Sequence, residues 1–92
     1  MKGTEKQIKW AEDIIEKIEK ITTLFEEENK ENAQIGAIKE MHKTILENMK
    51  NSYAGSIIHD FQDVKNYRDF VNTIAVYAKS LKKDYRRSAQ YE

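Results

Sequence analysis

One run of apolar residues constrains this chain more than any other feature. At about 100° per residue, Ile8, Ala11, Ile14, Ile15, Ile18, Ile21, Thr22 and Phe25 gather on one side of a helix. Glu5, Lys9, Glu12, Asp13, Glu16, Glu19 and Lys20 occupy the other side. The apolar arc spans roughly 140°, wider than the seam by which a helix meets a single partner. A helix of this kind must touch at least two neighbours, which predicts a bundle. Its start is also specified. Thr4 can accept a bond from the Gln7 backbone N–H while the Gln7 side chain reaches back to the Thr4 N–H, a capping box. Glu5 adds negative charge at the positive end of the helix dipole.

The remaining segments share the helical period. Glu26-Glu27-Glu28-Asn29-Lys30-Glu31-Asn32 has no apolar residue and reads as the first connection. Beyond it Ile35, Ile38, Met41, Ile45, Leu46 and Met49 line one face of a second helix, with His42 inside the same arc. Asn51-Ser52-Tyr53-Ala54-Gly55-Ser56 is the clearest interruption, with Gly55 suited to a positive φ. Ile57, Ile58, Phe61 and Val64 then have helical spacing, but out of phase with the stripe Tyr67, Phe70, Val71, Ile74, Ala78, Leu81 and Tyr85. The mismatch predicts a short helix, a bend near 63–66, and a long helix capped by Asn66 with Asp69 in its first turn. The expected fold is all-α: a single domain, 1–92, forming a small bundle of three long helices and one short one, over 4–27, 32–51, 56–63 and 66–88.

Composition narrows the function classes. The chain has 92 residues, three glycines, no proline and no cysteine, which removes disulfides, thiolate metal sites and cysteine nucleophiles. A single domain of this length leaves little room for a deep catalytic cavity. No stretch approaches the ~18 apolar residues of a membrane span, and no secretory signal is visible, so a cytoplasmic setting is expected. The formal net charge is zero, but residues 1–46 carry 8 lysines against 10 acids, and residues 47–92 carry 8 basic residues against 6 acids. Lys79, Lys82, Lys83, Arg86 and Arg87 concentrate the positive charge near the end.

Residues able to carry chemistry are few. His59 and Asp63 have the i, i+4 spacing of two ligands on one helix face, but a zinc site needs more donors. The plain alternative is an acid-rich helix start. His42, on an apolar arc, reads as a partly buried imidazole hydrogen-bonded to a neighbour. The glycines make no phosphate-binding pattern, and no nucleophile with an oxyanion donor is apparent. The expectation is therefore no enzyme, no cofactor and no metal. Three surfaces stand out instead. Trp10, at the margin of the first apolar arc, either closes the bundle's end or anchors an interface. Glu26, Glu27 and Glu28 form either a solvated loop or an acidic patch that binds a basic partner. Lys65, Arg68, Lys79, Lys82, Lys83, Arg86 and Arg87 form a basic ridge. It is either a solvated face or a phosphate-tracking surface with Tyr85 or Tyr91 to stack on bases.

The segment Gly3-Thr4-Glu5-Lys6-Gln7-Ile8-Lys9-Trp10-Ala11-Glu12-Asp13-Ile14 resembles one that recurs in small, uncharacterised bacterial proteins associated with phages and mobile elements. The resemblance covers about a dozen residues. It implies a compact accessory protein that works by binding, in some cases as an inhibitor of host defence nucleases. The resulting expectation is a non-enzymatic helical protein-interaction module acting on a host defence or nucleic-acid enzyme. Two alternatives remain: a nucleic-acid-binding accessory protein using the basic ridge, and a structural homodimer in which a second copy completes the arc of Ile8–Phe25.

Overall fold

The computed structural model describes residues 1–76, and they are all-α. Helix α1 spans Glu5–Glu28, α2 Ile35–Lys50 and α3 Ala54–Phe61. A fourth helix, α4, is in place over 67–76. Its expected continuation to residue 88 lies outside the described residues.

The capping box forms as its residues require. The Gln7 N–H donates to Thr4 Oγ1 at 3.2 Å, and the Thr4 N–H donates to Gln7 Oε1 at 3.1 Å. The apolar arc is filled from within the chain. Ala11, Ile14, Ile15, Ile18 and Thr22 are buried, and α1 packs against both α2 and α3. Met49 from α2, Ile57, Ile58 and Phe61 from α3, Val64 from the bend and Phe70 from α4 complete the core. Hydroxyl burial at Thr22 is offset locally, because its Oγ1 donates to the Glu19 carbonyl at 3.0 Å. The centre of this arc is therefore covered without a second copy, while Ile8, Ile21 and Phe25 at its margins are half-buried.

Several boundaries differ from expectation for identifiable reasons. Glu26, Glu27 and Glu28 are the last turn of α1, not a loop. Glutamate is a good helix former, and Asn29 supplies the stop: its backbone N–H and its Nδ2 both donate to the Phe25 carbonyl, at 3.1 and 2.9 Å. Helix α2 begins at Ile35, not residue 32, because Asn32 Oδ1 accepts from the Gln34 N–H at 2.8 Å and holds the connection in a turn. Met41, expected on the buried face of α2, is exposed. The cap of α4 is as expected: Asn66 Oδ1 accepts from the Asp69 N–H at 2.9 Å, and Asp69 Oδ2 accepts from the Lys65 N–H at 3.1 Å.

The largest correction concerns glycine. Gly55 does not adopt a positive φ and lies inside α3, which starts at Ala54. Among the described residues the positive φ, 152°, is at Gly3. The chain before α1 runs against the start of α3, where Lys2 and Tyr53 form an isolated parallel bridge and the Ala54 N–H donates to the Lys2 carbonyl at 2.8 Å. This bond satisfies one of the orphan donors at the N-terminus of α3. A Cβ on Gly3 would lie 3.0 Å from the Ala54 Cβ and 3.1 Å from Gln7 Oε1. The glycine is thus needed both for its backbone angle and for the close crossing. Gly55 has open space around its Cβ position. Gly3→Ala should lower stability by about 1–3 kcal/mol, whereas Gly55→Ala should raise it by about 0.5–1 kcal/mol, as read from urea unfolding midpoints at constant slope.

Candidate functional site: a buried histidine relay and the outer edge of α1

Two features stand out once the bundle is assembled, one inside and one outside. Inside, His42 on α2 is 1% exposed. Its Nδ1 lies 3.1 Å from Glu26 Oε2 on α1, and its Nε2 lies 2.8 Å from the Tyr67 hydroxyl on α4. An ionised carboxylate can only accept, so Nδ1 carries the proton donated to Glu26, and in the neutral ring Nε2 accepts from the Tyr67 O–H. Three aromatic rings enclose the imidazole. Phe25 stacks on Tyr67 with centroids 3.7 Å apart and planes 9° from parallel, and Phe25, Tyr67 and Phe70 each meet His42 edge-on.

The string carboxylate–imidazole–hydroxyl has the connectivity of an activated nucleophile, but its electrostatics run the other way. Burial, with the nearby Glu26 charge adding to it, raises the Tyr67 pKa above its ordinary value of 10.0. The hydroxyl is held protonated, where a nucleophile needs the opposite shift. The arrangement is a polar tie between α1, α2 and α4. It also accounts for Glu26, which sits at the edge of the core and is already engaged by His42. Glu27 and Glu28 are exposed. The sequence marked His42 as buried and bonded, but its partners were hidden. Glu26 was expected in a loop, and Tyr67 lies on the far side of the bend.

Outside, Trp10 is 52% exposed. Leu24 is 56% exposed and lies on the same edge of α1, four turns further on. Sequence reasoning missed Leu24, although its position two heptads from Trp10 is the signal that finds it. Along this helix Glu16 and Lys20 form an ion pair at 3.6 Å with both side chains largely exposed, while Asp13 and Lys17, at the same spacing, do not.

The remaining candidates are spread out. Lys65 and Arg68 are exposed at the start of α4. Lys79, Lys82, Lys83, Tyr85, Arg86, Arg87 and Tyr91 lie outside the described residues. His59 is exposed and pairs with its neighbour Asp60, Nδ1 to Oδ1 at 3.0 Å. Among the described residues no group of three or more His, Cys, Asp or Glu side chains could hold a metal ion, and no helix is long and apolar enough to cross a membrane. Comparison with known protein families, curated proteins and solved structures gives no match.

The raised pKa of Tyr67 fixes the sign of a pH effect. The native state holds this proton more tightly than the unfolded chain, so the contribution is complete below about pH 10 and is lost as pH rises through the folded value. Tyr67→Phe should cost about 1–3 kcal/mol at neutral pH, because it leaves the buried Nε2 without a donor, and should flatten the alkaline decline. Urea unfolding of both forms between pH 7 and about pH 11 checks both outcomes.

Proposed function

We propose that the protein is a non-enzymatic helical module that binds a protein partner through the outer edge of α1. The observation that carries this reading is the exposure of Trp10 in a bundle whose core is otherwise filled. Tryptophan is enriched among residues that dominate binding energy, and leaving so large an apolar residue half exposed is unfavourable unless something covers it. The rigidity of α1, held by its cap, its core packing and the His42 tie, presents this edge with little ordering cost on binding. The N-terminal resemblance supports a setting: a cytoplasmic accessory protein of a phage or mobile element, acting on a host defence or nucleic-acid enzyme.

The test is affinity capture with the intact chain and with Trp10→Ala/Leu24→Ala. Both positions are exposed, so the variant should keep its helical signal and unfolding midpoint. Capture of a specific partner should weaken by about tenfold or more. Undiminished capture by the variant would reject α1 as the binding edge. Retained binding to generic DNA, with a steep loss as salt rises, would move the reading to the basic ridge that begins with Lys65 and Arg68.

A further inference from the structure

The exposed edge of α1 has a charge order that selects a specific occupant. At about 100° per residue a single stripe runs along the helix through Lys6, Trp10, Asp13, Lys17, Lys20, Leu24 and Glu28, spaced three or four residues apart over about 33 Å, and every one of these residues is exposed. The order is nearly self-complementary about its midpoint. If a second stripe is laid against it antiparallel, with residue 17 on the two-fold axis, Lys6 faces Glu28 of the second copy, and Trp10 faces its Leu24. Asp13 then comes within one residue's offset of its Lys20. Each of these pairings occurs twice by symmetry. A parallel alignment instead places Lys6, Asp13, Lys17, Lys20 and Glu28 each against its own copy, five like-charge contacts.

We infer that the outer edge of α1 pairs antiparallel with the same edge of a second copy of this chain, giving a two-fold symmetric dimer. The inference rests on the reading of α1 as the binding edge and specifies an occupant for it. Lys6, Asp13, Lys17 and Glu28 make no ion pair with any described residue, so their charges are available to a partner. The apolar contribution comes from two Trp10–Leu24 contacts, one on each side of the axis. Lys17 is the one mismatched position, because its own copy faces it across the axis. That mismatch and the narrow contact, below the ~1,200 Å² of standard stable complexes, make the dimer weak and concentration-dependent. The pairing is accordingly a reversible cover for Trp10 and Leu24, one that a tighter partner can displace.

The test is multi-angle light scattering and sedimentation of the full chain from micromolar to about 0.5 mM. The mass should rise from 10.9 kDa toward twice that value. Trp10→Ala/Leu24→Ala should weaken dimerisation by about tenfold or more. Lys6→Glu and Glu28→Lys should each weaken it, while the two combined in one chain should restore it; neither change opposes the helix dipole. Lys17→Leu should strengthen it, a gain that a merely structural role would not produce. The chain contains no cysteine, so Lys17→Cys should crosslink to itself under mild oxidation, and Glu28→Cys should not. A monomer at 0.5 mM, absence of charge-swap rescue, or a dimer indifferent to Trp10 and Leu24 overturns the inference. If the chain stays monomeric but partner capture still requires Trp10, only the self-pairing fails. If neither depends on Trp10, both readings fail.

Discussion

Burying a roughly 140° arc on one helix demands two walls, and the rest of this bundle is arranged to supply them. Helices α2 and α3 both pack on α1, with Phe70 of α4 reaching into the same core. The division of labour is unequal. Helix α3 has eight residues, four of them buried, while α2 is twice as long and buries only His42 and Met49. The short helix is mostly core, and the long one is mostly surface.

The two ends of α1 are fastened by different chemistry. At its start, backbone does the fastening: the Lys2 carbonyl takes the Ala54 N–H, and Gly3 allows the chain to pass close against α3. Near its end, side chains do it: Glu26, His42 and Tyr67 link three helices through one imidazole with both nitrogens bonded. Both devices work through hydrogen bonds at fixed positions. Their role is specificity, since a hydrophobic arc alone allows sliding and rotation that a hydrogen-bonded ring or a fixed crossing does not.

Where a signal was local, it could be read directly. The Thr4–Gln7 box, the Asn66–Asp69 cap and the core face of α1 all depend on residues within a few turns, and they formed as their spacing required. Where a partner came from elsewhere in the chain, the sequence was misleading. Gly55 looked like the turn glycine because it sits among small polar residues. The crossing that needs a glycine is made by Gly3, and its partner Ala54 is 51 positions away. Glu26 looked solvated because its neighbours are acids, yet it has a partner 16 residues on. The outer edge of α1 was half legible. Trp10 is legible as a margin residue, but Leu24 carries no local signal, and its exposure is what places it on the same edge as Trp10.

The relay at His42 also bears on how the bundle comes apart. Helix α4 cannot lift away without taking Tyr67 from the imidazole and from the face of Phe25, leaving a buried ring nitrogen without its donor. Partial opening of that helix therefore carries the cost of an unpaired polar group before any compensating water arrives. The described part of α4 should consequently be lost together with α1 and α2 and not ahead of them. A peripheral helix is in this way made part of a single cooperative unit, and its amide protons should exchange with the slow class of the core, not with the fraying ends.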